Sequence, residues 1–205
     1  RISNTGLCTY IPPSIDTNRF QPKKIDPNKE KVIIGWTGTF SSKKYLDKIQ
    51  NVFIKLSKKV EFKLKIIGNF TYELSSIDLE VVQWNLKNEI EDLQSFDIGI
   101  YPLSSQSWVD GKSGLKAIQY MAIGIPSVAS NVGNTSMILT DRVNGFLVND
   151  EEQWVDVLEE LVLNPQLRQK IGKQARLDVE VKYSLNAIGE KYDKILNSMT
   201  IDLND

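Results

Sequence analysis

Histidine is absent from these 205 residues, and no other absence removes as much chemistry. Without imidazole there is no Ser-His or Cys-His nucleophile, no histidine metal ligand and no imidazole general base. Cysteine occurs once, at Cys8, so an internal disulfide framework is excluded and a reducing, cytoplasmic compartment is expected. Neither sign of charge is in excess. Twenty-five Lys and Arg stand against 26 Asp and Glu, a formal net charge of -1. That balance gives no reason to expect nucleic acid or an anionic membrane as the main partner. No run is long or apolar enough to span a bilayer, and no signal-peptide pattern is visible. A D-x-D triplet, one arrangement of carboxylates for holding a metal, is also missing, and no metal cofactor is expected. The first residue is Arg1 rather than methionine, as expected of a fragment or trimmed product.

What is present is ordinary for a globular protein: 41% hydrophobic and 25% charged residues, enough for one sizeable α/β domain. Strand-like and helix-like segments alternate along it. Val32-Ile33-Ile34 reads as a buried strand ending at a Gly35 to Thr39 loop, followed by a helix over Ser41 to Val60 capped by Ser41 or Ser42. Strands are predicted at Glu61 to Gly68, Leu79 to Trp84, Phe96 to Leu103, Ser127 to Ser130 and Phe146 to Val148. Helices are predicted at Leu86 to Gln94, Ser136 to Leu139, Glu151 to Leu163, Pro165 to Val179 and Ser184 to Met199. This alternation predicts a doubly wound, Rossmann-like parallel sheet covered on both faces.

One further helix is the most informative. It is predicted to open around Lys112 to Leu115 and must stop before Pro126. Leu115, Ile118, Met121 and Ala122 share a face that suits packing on a sheet. Lys112, Lys116 and Gln119 then form a polar stripe. The small-residue turn Gly111-Lys112-Ser113-Gly114 leaves helix-start N–H groups available to an anion, and two nearby lysines add charge for a diphosphate. A surface helix with solvated lysines is the plain alternative.

The segment Tyr120-Met121-Ala122-Ile123-Gly124-Ile125-Pro126-Ser127-Val128-Ala129-Ser130 resembles the E-A-M-A-x-G-x-P-V-V-A hallmark of family 4 glycosyltransferases. Upstream, Tyr10-Ile11-Pro12-Pro13-Ser14-Ile15-Asp16 to Phe20 is similar to that family's interdomain I-P-N-G-V-D-x-x-x-F. Downstream, Asn164-Pro165 through Ala175-Arg176 and Lys182-Tyr183-Ser184 resemble its N-P-x-L-R-x-x-x-G-x-x-A-R and K-Y-S elements. The resemblance implies the donor-binding, C-terminal half of a two-domain GT-B fold. Residues 1–20 would be the interdomain connector, 21–181 the donor-binding domain, and 182–205 a helix crossing back to an N-terminal acceptor domain. The implied activity is retaining transfer of a sugar from a nucleotide diphosphate sugar to an acceptor glycan or lipid-linked sugar. The implied partners are that nucleotide sugar and the acceptor domain, through which any peripheral membrane contact would come.

The resemblance also nominates residues. Donor contacts would come from Gly38 and Thr39 after the first strand and from Trp84 and Asn85 after the third. Gly111, Ser113, Gly114, Leu115, Lys116 and Gln119 would supply the rest, with Gln119 on the ribose. Two departures from the family pattern stand out. Its E-x7-E pair falls on Gly111 and Gln119 here, so Asp110 is the nearest carboxylate to stand in for the first glutamate. The basic pair expected after the first strand is missing, so Lys112 and Lys116 take over the diphosphate, and Asp110 and Lys112 become the catalytic candidates. A non-catalytic nucleotide-sugar-binding domain and a sugar-nucleotide epimerase are the competing readings. A phosphorelay receiver is excluded, because Gly35-Trp36 and Trp84-Asn85 occupy strand ends that would need acids.

Overall fold

The structure is a computed structural model that describes residues 9–23, 29–75, 77–105 and 111–201, with side chains to residue 198. In chain order the elements are β1 (Ile33–Gly38), α1 (Phe40–Asp47), α2 (Gln50–Leu56), β2 (Lys63–Gly68), β3 (Asp78–Gln83), α3 (Glu89–Gln94) and β4 (Ile98–Tyr101). There follow α4 (Leu115–Ala122), β5 (Ser127–Ser130), α5 (Thr135–Ile138), β6 (Phe146–Val148), α6 (Glu151–Leu163), α7 (Pro165–Lys182) and α8 (Leu185–Ile201). All five strand pairings are parallel, in the order β3-β2-β1-β4-β5-β6. The sheet is therefore wound outward in two directions from β1, and the switch point lies between β1 and β4. In such sheets a crevice opens there, beyond the carboxyl ends of the strands.

Alternation along each central strand sends side chains into two separate cores. Ile34, Trp36, Leu64, Ile66, Ile98, Ile100, Val128, Phe146 and Val148 meet Phe53 of α2 and Leu158 of α6 on one face. Ile67, Tyr101 and Ala129 meet Ile118, Tyr120 and Met121 of α4 and Val179 of α7 on the other. Both faces are covered, which is why the inner strands read as nearly continuous apolar runs. Among the described residues no helix is long and apolar enough to cross a membrane.

Several sequence expectations change. The predicted Ser41 to Val60 helix is two helices, broken at Ile49 (φ -107°, ψ 17°), and Ile49 still packs in the same core as Leu46 and Val52. Its cap is Thr39, not Ser41 or Ser42: Ser42 N donates to Thr39 O, and Thr39 N donates to the Ser42 hydroxyl. β1 continues through Trp36 to Gly38, so Gly35 is not in a loop. A Cβ at Gly35 would fall 2.0 Å from the Phe96 ring, so this glycine admits an aromatic side chain rather than a ligand. α4 begins only at Leu115, so Lys112 precedes the helix and is not on a stripe with Lys116 and Gln119. Leu115 is 39% exposed and does not share the buried face of Ile118, Met121 and Ala122.

The connector is anchored to the domain. Ile15 bridges Ser184 between α7 and α8, and just past the connector Lys23 N donates to Ile123 O. Arg176 donates to the carbonyls of Thr17, Phe20 and Ala122, tying connector, α4 and α7 together.

Candidate functional site

At the switch point, α4 brings a lysine over the end of β1. Gly114 caps the helix in a left-handed conformation (φ 71°), and a Cβ there would meet Ile138 Cδ1 at 2.1 Å. Only glycine fits both demands. Among the described residues no side chain caps the helix start. Lys116, in its first turn, reaches across the sheet rim. Its Nζ stands 4.5 Å from the centre of the Trp36 ring, 5.8 Å from that of Tyr101 and 3.4 Å from the Ser42 hydroxyl. Gly38 leaves the space: a Cβ there would lie 2.6 Å from Lys116 Nζ.

Burial among these rings pulls the Lys116 ammonium down to about 7, and the charge of Lys112 adds to the effect. Among the described residues no carboxylate lies within ion-pairing distance of Lys116, although most partly buried lysines here have one. Lys112 Nζ lies 4.9 Å from the Tyr45 ring centre, so both lysines rest on aromatic faces at one end of α4. Burial, with a smaller contribution from Tyr45, raises the Tyr101 phenol to about 12, so it stays neutral beside Lys116.

Tyr120 fixes the two central strands at this point. Its hydroxyl accepts from Thr37 N at 3.2 Å and donates to Ile100 O at 3.4 Å, and burial drives its phenol well above the ordinary range. The ring fits because Gly99 has no side chain; a Cβ there would lie 2.3 Å from Tyr120 Cγ.

The sequence candidates separate into two groups. Gly38, Thr39, Lys112, Ser113, Gly114, Leu115 and Lys116 gather where β1 ends and α4 begins. Gly111 precedes them with open space where a side chain would be. Asp110 lies outside the described residues. Trp84 and Asn85 follow β3, two strands from β1, with Trp84 44% exposed. Trp84 is therefore not a core residue. Gln119 lies further along α4, and its amide donates to Glu89 at 3.5 Å.

Sequence reasoning missed Trp36, Ser42, Tyr45, Tyr101, Tyr120 and Glu89. A signal existed for two of them: Ser42 and Tyr45 are three apart on one helix, the spacing of a shared face. The other contacts join elements far apart in the chain.

The six-stranded parallel sheet, wound outward both ways from β1, defines a Rossmann-like α/β domain. The family model described as "Glycosyl transferases group 1" matches residues 17–178. The chain belongs to that family. It is 24% identical over 198 residues to the capsular polysaccharide biosynthesis glycosyltransferase CapM of Staphylococcus aureus, covering 90% of this chain and 50% of that protein. It is 26% identical over 215 residues to a GDP-mannose-dependent monoacylated α-(1-6)-phosphatidylinositol monomannoside mannosyltransferase of Corynebacterium glutamicum, covering 92% and 56%. The chain thus spans about half the length of these relatives. Its fold is similar to the C-terminal domain of a group 1 family glycosyl transferase from Francisella tularensis (TM-score 0.66, 24% identity), covering 84% of this chain and 100% of that one. It is also similar to Anabaena HepE solved with UDP-glucose (TM-score 0.66, 14% identity), covering 90% and 56%.

Proposed function

We propose that this chain is the donor-binding half of a retaining glycosyltransferase, taking a sugar from a nucleoside diphosphate sugar to an acceptor glycan or lipid-linked sugar. Lys116 carries the reading: a partly buried ammonium held by two aromatic rings and a hydroxyl, at a helix start without a side-chain cap. A lysine in the first turn opposes the helix dipole and gains from a bound anion. The donor's diphosphate supplies that anion. As the glycosidic bond to the leaving diphosphate breaks, negative charge grows there, and Lys116, Lys112 and the N–H groups of α4 stabilise it without a metal. Trp84 offers its exposed ring to the base. The catalytic carboxylate is assigned to Asp110.

In this reading residues 1–20 connect to an acceptor domain and 182–205 return to it, so the reaction needs both halves. Calorimetric titration of the chain with UDP, GDP, ADP and pyrophosphate tests the donor assignment. One nucleoside diphosphate is expected to bind, Lys116→Met is expected to weaken its binding by about tenfold or more, the worth of one charge-assisted hydrogen bond, and the chain alone is expected to transfer no sugar. Failure of every nucleotide and of pyrophosphate to bind overturns the reading.

A further inference from the structure

No sequence motif nominates Glu89, yet it is the side chain that Gln119 meets. It opens α3 just past the Trp84-Asn85 loop, and its Oε1 accepts from Gln119 Nε2 at 3.5 Å. Its Oε2 accepts from Arg19 Nη2 of the connector at 3.2 Å. The Glu89 side chain is only 17% exposed, whereas that of Arg19 is 47% exposed. A contact of 3.5 Å is at the outer limit of a hydrogen bond, so the amide is loosely held. A largely covered carboxylate therefore lies between the loop after β3 and the helix that carries Lys116. Its partners there are a neutral amide and a cation on a solvated arm.

We infer that Glu89 and Gln119 together form the ribose subsite of the donor, with Glu89 supplying the carboxylate. The inference rests on the proposed function, which puts the base at Trp84 and the diphosphate at Lys116; the ribose must join the two. A vicinal diol presents two O–H donors side by side, and an ionised carboxylate presents two acceptor oxygens and no donor. Gln119 adds one carbonyl and one amide, so it serves either hydroxyl without competing for charge. Charge-assisted hydrogen bonds of this kind are the stronger ones. The competing role for Glu89 is structural: an acid at a helix start, paired with a surface arginine. Such groups contribute little and are indifferent to the sugar of a nucleotide.

The test is calorimetry on the whole chain with UDP, GDP, ADP, their 2′-deoxy counterparts and pyrophosphate, alongside thermal melts. The unaltered chain is expected to prefer its favoured ribonucleotide over the deoxy form by about tenfold or more, the effect of one strong hydrogen bond. Glu89→Gln is expected to lose most of that preference while pyrophosphate affinity stays unchanged. Glu89→Asp keeps the charge and is expected to retain part of the preference. Arg19→Ala, which releases the carboxylate, is expected to leave the preference intact or enlarge it. The inference is overturned if Glu89→Gln still discriminates ribose from deoxyribose. It is equally overturned if both Glu89 variants lose nucleotide and pyrophosphate affinity in step with melting temperature, which marks a structural role. Binding without ribose preference in the unaltered chain overturns this inference alone. Absence of all binding overturns the proposed function, and this inference with it.

Discussion

Gly38 and Lys116 occupy one space: a Cβ on residue 38 would lie 2.6 Å from the lysine Nζ and 2.4 Å from Cη2 of Trp36. The lysine tip can swing away, but Trp36 is buried in the core and cannot. Gly38→Ala is therefore expected to displace the ammonium from its aromatic seat and press on Trp36. Overpacking of this kind costs roughly 1–3 kcal/mol. Chemical denaturation is expected to show that loss, and calorimetry a weaker diphosphate affinity. Unchanged pyrophosphate affinity in a destabilised Gly38→Ala would show that the position of Lys116 is not set by Gly38.

A second close approach holds α4 against α7. A Cβ on Gly172 would lie 2.0 Å from the carbonyl oxygen of Gly124, itself left-handed at φ 73°. Backbone cannot yield as a side-chain tip does, so the helices would have to separate. Gly172→Ala is expected to cost on the order of 3 kcal/mol or more, at the upper end for overpacking. Gly189→Ala, inside α8 with open space around it, is expected instead to stabilise by about 0.5–1 kcal/mol in the same chemical denaturation.

Asp97 joins the segment leading into β1 to the sheet. Its carboxylate accepts from Ile33 N at 2.7 Å and pairs with Lys23 and Lys29. Burial alone would raise its carboxyl, but the Ile33 N–H and the two ammonium groups outweigh burial and hold it below the ordinary value of 3.8. Its contribution is therefore complete above the unfolded value and is lost as pH falls through the lower folded one. Asp97→Asn leaves two lysines unpaired and is expected to destabilise by about 3–5 kcal/mol at neutral pH. It is also expected to flatten the acid limb of the stability curve. An acid limb identical to that of the unaltered chain would remove Asp97 as its source.

The doubly wound topology was legible from the alternation of apolar runs and amphipathic stretches. The bounds of α6 were legible to the residue, because Asp150 caps its start and Asn164-Pro165 closes it. Local chemistry sets both signals. The break at Ile49 was not legible, since the helical spacing of apolar residues runs through it and core packing decides the kink. The conformation of Gly114 likewise shortened α4 and left Lys112 outside a stripe that the spacing drew. In the site, the lysines were legible as charge at a helix start. Their aromatic seat was not, because Trp36, Tyr45 and Tyr101 reach them from three separate elements.

The sharpest consequence of that seat is a pH dependence that runs opposite ways for the free and the bound protein. Burial, reinforced by Lys112, lowers the Lys116 ammonium from 10.5 to about 7. Between those values the unfolded chain holds the proton and the folded chain does not, so stability rises with pH through the window. Below about 7 both states are protonated and the cost of burying the charge is complete. A bound diphosphate reverses the preference, since an anion beside the lysine raises it again. Binding then takes up a proton, and affinity falls by as much as about tenfold per pH unit above 7 until the bound value is reached. The other groups at this seat do not interfere at moderate pH: Tyr101 is raised to about 12 and Tyr120 further still. Titrations with the nucleoside diphosphate that binds, in buffers of different ionisation enthalpy at roughly pH 7.5 to 8.5, measure the uptake directly. The expected result is uptake approaching one proton, lost in Lys116→Met, together with a higher neutral-pH melting temperature in that variant. No proton uptake in the unaltered chain, or uptake that survives in Lys116→Met, would take the titrating group away from Lys116.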